Sequence, residues 1–201
     1  MVIVAGLSAI APDTYAQSGN RNARAATKQE KMDAWHRDMA EFRARSAQDR
    51  QMAALTDSIA SVQARAALQN QDFVLEADNV TFRNGSTVFV NSSTNFISVK
   101  GNRAVVQISP SNYYSGPNGL GGVTVDGYVS ELQVKTDSKG RITYSMNVTG
   151  IGINAQVEIY MYPNSSQATA TVYPNFNSNT VWLQGTIVPY ENSNVIEGNS
   201  L

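Results

Sequence analysis

From about Asp72 to Tyr190 the chain alternates apolar with polar residues and is cut at short intervals by tight-turn signals. Ile142, Tyr144, Met146 and Val148 fall on one face of one segment. Ile151, Ile153, Ala155, Val157, Ile159 and Met161 fall on one face of the next. A period of two sustained this long belongs to strands that bury one face and hydrate the other, the habit of antiparallel sheets. It fixes the class of the domain and says nothing of its activity.

The turn signals divide the region into eight or nine strands. Asp72–Asp78 opens it, and Asn84-Gly85 is a two-residue hairpin signal. Strands are then predicted around Thr87–Val90, Asn95–Lys100, Arg103–Ser109, Val123–Val134, Arg141–Val148, Ile153–Tyr162, Ala168–Tyr173 and Val181–Val188. The alternation slips around Gly127, which predicts a bulge or bend there. Nearly every link is of hairpin length, so consecutive strands should be neighbours in an up-and-down meander. An open sheet of such strands would leave edges prone to aggregation. Closure into a barrel, or curling into a half-barrel plugged by a helix, removes the problem. The expected fold is therefore mainly β, an antiparallel meander over 71–190 preceded by a helical segment. The polar residues 191–201 read as a disordered tail.

Residues 28–70 have the composition of a helix, rich in Ala, Gln, Arg, Glu and Met, with no Pro or Gly. Met32, Trp35, Met39 and Phe42 form an apolar stripe, and Met52, Leu55, Ile59, Val62 and Ala66 form a second; Ser46 and Asp49 interrupt it between. At about 1.5 Å per residue the segment is roughly 60 Å long, whereas a ten-residue strand spans about 33 Å. The helix must break, overhang or pair with another chain, and a break or change of partner is expected near Ser46. One reading has Met52–Leu68 covering an edge or end of the β domain. The sharper reading has residues 32–42, with Trp35, Met39 and Phe42 at the contact, mediating homo-oligomerisation or binding an envelope partner.

Val2–Ala11 is a short apolar run, and Ala16 offers a small-residue cleavage site. Residues 1–16 thus read as a secretory signal, followed by a flexible linker over 17–27. No Lys or Arg precedes the run, so either the true start lies upstream or this is no signal. The expectation is an exported protein, periplasmic or envelope-associated. Cysteine is absent, which removes disulfides, thiolate metal sites and a cysteine-anchored lipid from consideration. No segment reaches transmembrane length. A net charge of −1 gives no reason to expect nucleic-acid binding. No cofactor is implied.

The opening Asp72-Phe73-Val74-Leu75-Glu76-Ala77-Asp78, then Asn95-Phe96-Ile97-Ser98-Val99, an Ala-Val-Val-Gln-Ile strand, a Gly-rich loop and Val123-Thr124-Val125-Asp126-Gly127 follow one another in order. Over about residues 66–187 this series resembles the bacterial family known only as domain of unknown function 4251. The resemblance implies a small exported envelope protein with a lipocalin-like β-meander. It brings no catalytic residues.

Pro110–Gly122 is the one long loop, with Tyr113 and Tyr114 and four glycines that include Gly116 and Gly119. Tyr113 and Tyr114 could stack on a sugar or an apolar ligand, so these four residues are the candidate ligand site. The competing reading is a mobile connection. Tyr160, Tyr162, Tyr173 and Trp182 share the second face of the sheet and read either as a binding surface or as the seat of the helix. Asp78, Asp126, Glu131 and Glu158 are scattered carboxylates, and a hydrolase would need two of them in one pocket. His36 is the only histidine, beside Trp35 on the charged helix, and suggests neither a metal site nor a triad. The preferred function is a non-enzymatic domain binding an apolar or amphipathic small molecule, either in an interior lined by Phe73, Phe96, Ile142, Met146, Val157 and Met161 or under the Tyr113–Tyr114 loop. The alternatives are an assembly protein acting through its helix and, last, a carboxylate-dependent hydrolase.

Overall fold

The computed structural model describes residues 14–110, 122–151, 154–175 and 180–200, with side chains from residue 27 onward. The chain divides into two compact units, Met1–Met52 and Ala53–Leu201. A single helix, α1, covers Thr14–Asn70. No break occurs at Ser46. Continuity is a backbone matter, and residues 28–70 hold neither Pro nor Gly. The Ser46 hydroxyl donates to the carbonyl of Arg43 at 3.0 Å, within the helix itself. The helical backbone also runs through 17–27, read above as a linker.

Helix α1 ends where Gln71 turns left-handed, at φ 54°. That conformation closes a helix and redirects the chain. The Gln71 N–H donates to Leu68 O, and Gly101 N–H donates to Gln71 O.

Nine strands follow: β1 Asp72–Phe82, β2 Thr87–Phe89, β3 Phe96–Lys100, β4 Arg103–Ile108, β5 Val123–Thr136, β6 Ile142–Gly150, β7 Asn154–Met161, β8 Gln167–Pro174 and β9 Val181–Pro189. All pair antiparallel, and from β3 to β9 each strand pairs with the next. The first half of β1 pairs with β3 and its far end with the short β2. Its other edge pairs with β9 from Phe73↔Pro189 to Phe82↔Val181, which closes the sheet. The result is an eight-stranded barrel with β2 as an extra strand. Closure depends on Gly185, where a Cβ would collide with the carbonyl of Glu76.

The barrel is filled by the alternating residues that defined it. Ile142, Tyr144, Met146 and Val148 of β6 face inward beside Ala155, Val157, Ile159 and Met161 of β7. Ile151 does not continue this row; it lies exposed in the turn after β6. The slip in β5 falls between Ser130 and Gln133, past Gly127, and Glu131 there has φ 52°. Gly127 answers a different need, since a Cβ would strike the carbonyl of Thr149.

Ala64, Ala67 and Leu68 of α1 join the interior cluster, and Arg65 Nη2 donates to Gly140 O at 3.3 Å in the β5–β6 turn. A second, smaller cluster lies outside the barrel: Val74, Phe96 and Val105, packed with Val188, Tyr190 and Val195. Residues 191–200, expected to be a free tail, run over this patch. The buried amide of Gln107 holds them, donating to Ile196 O at 2.8 Å and to Thr94 O, and accepting from Gly198 N–H at 2.7 Å and from the Thr124 hydroxyl.

Candidate functional site

Four regions carry the residues that the sequence singled out. Tyr113, Tyr114, Gly116 and Gly119 lie outside the described residues. The stem of their loop is held by Asn95, whose Oδ1 accepts from Ser109 N–H at 2.7 Å and whose Nδ2 donates to Ser109 O.

The barrel interior is the second. Phe73, Ile142, Met146, Val157 and Met161 face into it as expected, and with Tyr144, Leu75, Ile159 and Leu183 they pack against one another there. Phe96 does not: β3 turns its odd-numbered residues inward, so Phe96 faces out and lies in the cluster with Val74 and Val105. The Tyr144 ring meets Phe73 edge to face, and burial pushes its phenol up to about 12.

The third region is α1. In the first unit Trp35 is 53% exposed and Phe42 65%, while Met39 is half-buried. The Trp35 and His36 rings touch edge to face at 5.0 Å. In the second unit the helix docks by Ser61, Ala64, Ala67 and Leu68, all buried. At about 100° per residue, the apolar stripe of Leu55, Ile59, Val62 and Ala66 projects from the opposite side. Leu55 and Ile59 are each 59% exposed and Val62 65%. The face that meets the barrel is thus the small one, and the more apolar face is turned away. Periodicity identified the stripe but carried no signal for which side would dock.

The fourth region is the outer surface of β6–β9. Tyr162, Tyr173 and Trp182 are exposed and Tyr160 is half-buried. In the second unit, α1 inserts into the interior cluster and does not seat on them. Cross-strand register sets Asn147 beside Gln156 beside Tyr173, and Glu158 beside Thr171 beside Trp182. The Tyr160 hydroxyl donates to Glu158 Oε2 at 2.8 Å, which raises the Tyr160 pKa above the usual phenol value. Next to Tyr173 the surface sinks into an open groove that also includes Glu131, Asn147 and Gln156. Sequence patterning missed Glu131 in this role, because only the bulge brings it to Asn147, whose Nδ2 donates to Glu131 Oε2 at 2.7 Å.

The four carboxylates have separate surroundings. Asp126 accepts a bidentate pair of bonds from Arg103, and this partner raises the guanidinium pKa. Glu131 engages Asn147, Glu158 engages Tyr160 and Gln156, and Asp78 is exposed at the β1 bulge. The groove at Asp126 and the groove at Glu131 hold one carboxylate each. Among the described residues no three His, Asp or Glu side chains gather as metal ligands. No helix there is long and apolar enough to cross a membrane.

The profile of a family described as "Domain of unknown function (DUF4251)" matches residues 57–187. The crystal structure of a DUF4251 family protein from Bacteroides eggerthii is similar at 48% sequence identity and a TM-score of 0.62. The match covers 70% of this chain and 95% of that one. No curated protein matches.

Proposed function

The chain belongs to the DUF4251 family, whose activity is unassigned, and on that premise we propose that it is a non-enzymatic assembly protein of the bacterial envelope that self-associates through the apolar side of α1. One observation carries this reading: Leu55, Ile59 and Val62 stand in solvent on the side of the helix that faces away from the barrel. A stripe spaced four and three apart is suited to pairing with another helix. Along 55–63 its flanks, Thr56, Ser58 and Gln63, are uncharged, and the next flanking residue, Arg65, is bonded to the Gly140 carbonyl. Burying one such side chain fully is worth about 1.5–3 kcal/mol. Trp35 and Phe42 give the first unit an exposed apolar patch of the same kind. Export rests on the leader-like residues 1–16.

The small-ligand reading has less to draw on within the barrel, where the inward positions are occupied by side chains.

Sedimentation equilibrium of the full chain tests the proposal. A dimer or larger species is expected at about 100 μM, dissociating in the Leu55→Gln, Ile59→Gln, Val62→Gln triple variant. A strict monomer, or a triple variant that associates as before, defeats it. Cell fractionation with N-terminal sequencing tests export separately: the expected product is an envelope protein beginning at Gln17. Intact Met1 in the cytosol refutes export.

A further inference from the structure

Beside Tyr173, on the outside of the barrel, lies the open groove of about 490 Å³. Glu131, Asn147, Asn154, Gln156, Tyr173 and Asn175 furnish most of its wall. These six comprise one aromatic ring, four amides and a single carboxylate. No lysine or arginine lines the groove, and none follows Arg141 in the sequence.

The polar groups are held in place. Asn147 is tied to Glu131 at 2.7 Å. Asn175 Oδ1 accepts from the backbone N–H of Asn154 at 3.0 Å. Gln156 Nε2 donates to Glu158 Oε1 at 3.4 Å. One such bond uses only part of the capacity of an amide, which has two N–H donors and two lone pairs. Glu131 itself sits at φ 52° in the bulge of β5. Left-handed backbone is disfavoured for a residue with a Cβ, and strain of this kind concentrates at binding sites. The bulge re-aims the side chain, and the aim is into the groove.

We infer that this groove binds a neutral oligosaccharide, with one sugar ring stacked on Tyr173 and its hydroxyls bonded to Glu131, Asn147 and Gln156. The chemistry selects this class by elimination as well as by fit. An apolar ligand would strip water from the amides and return no hydrogen bonds. An anionic ligand would meet Glu131 with no cation to balance it. An extended peptide added to the sheet needs a free strand edge, and the strands that carry Asn147, Gln156 and Tyr173, β6 to β8, are paired on both sides. A sugar hydroxyl both donates and accepts, as an amide does. The CH face of a pyranose is apolar and flat enough to lie on a tyrosine ring. The inference is independent of α1 and its association.

The test titrates cellohexaose, maltohexaose and mannohexaose into the full chain, followed by calorimetry and by saturation-transfer NMR. At least one is expected to bind saturably, with a Kd between roughly 10 μM and 1 mM. Tyr173→Ala should weaken that binding by about tenfold or more, while Tyr173→Phe, which keeps the ring, stays within about threefold. Glu131→Gln should weaken it through lost hydrogen bonds, and Trp182→Ala, outside the groove, should leave it unchanged. Matching thermal unfolding curves show that the variants are folded. Absence of saturation by all three sugars up to about 10 mM overturns the inference. So does a Tyr173→Ala variant that binds as well as the parent, or tighter binding of a sulfated hexasaccharide.

Discussion

Phe73 and Tyr144 meet edge to face inside the barrel, their ring centres 5.1 Å apart, and the Tyr144 hydroxyl finds no hydrogen-bond partner among the described residues. A buried hydroxyl left in that state is a cost to folding. Tyr144→Phe keeps the ring contact and removes the orphan, so it should stabilise the domain by about 1 kcal/mol. The effect also depends on pH. Burial lifts the Tyr144 phenol from 10.0 to about 12, so the folded state keeps its proton where the unfolded chain has lost it. That contribution is complete below pH 10 and disappears as pH rises through about 12. Urea melts at pH 7, 9 and 11 check both points. Equal losses for parent and variant between pH 9 and 11 would refute the assignment.

Gln107 joins the last residues to the barrel: of its four hydrogen bonds, two go to Ile196 and Gly198 and two to Thr94 and Thr124. Gln107→Ala removes the acceptor of the Gly198 N–H and the Thr124 hydroxyl and the donor to two carbonyls. A loss of roughly 3 kcal/mol is expected. Hydrogen exchange should speed up first at Ile196 and Gly198, before any change in β5 to β8. Uniform acceleration across the barrel would contradict the tail-specific role.

Gly185 lets β9 approach β1, and a methyl group there meets the Glu76 carbonyl. Gly185→Ala should cost about 2–3 kcal/mol through forced backbone displacement. A Tm within a degree of the parent would show that the seam is more compliant than this.

The two sides of α1 near the barrel should respond in opposite ways. Leu68 is fully buried, so Leu68→Ala should cost about 2–5 kcal/mol. Leu55 is exposed, and Leu55→Ala, measured at dilution where chains are separate, should change stability by less than about 0.5 kcal/mol. Chemical denaturation of both variants separates the faces; a large loss at Leu55 would mean that the docking face has been assigned to the wrong side.

Glu131→Gly relieves the left-handed backbone at φ 52°. It should raise stability by about 1 kcal/mol while removing the carboxylate that holds Asn147. Increased stability together with weakened sugar binding is the expected pair, read by thermal unfolding and by the calorimetric titration.

Much of the fold was legible because alternation and burial coincide on β6 and β7. There each inward residue touches the same apolar interior, so a local pattern reports a global fact. The pattern faltered where a residue's surroundings come from distant sequence. Phe96 looked like a core residue and is one, but of the outer cluster built by Val188, Tyr190 and Val195. Ile151 extended the ladder on paper and lies in a turn. The helix stripe was visible, yet the barrel end admits the small Ala64 and Ala67, and fit outweighed hydrophobicity in choosing the docked side. The groove was least legible of all. Asn147, Gln156 and Tyr173 are ordinary outward residues until three strands align them, and Glu131 joins them only through a bulge whose position no glycine marks.

The seam between β1 and β9 has a temporal consequence. It joins Phe73 to Pro189 and Phe82 to Val181, so the first strand must wait for the last. A chain emerging from the ribosome or a secretion channel cannot finish its barrel until β9 has passed. Until then β1 and whichever strand emerged latest remain unpaired rims, able to recruit other chains. Folding of this domain is therefore a late, all-at-once event, and premature termination anywhere before β9 yields an adhesive fragment instead of a smaller domain.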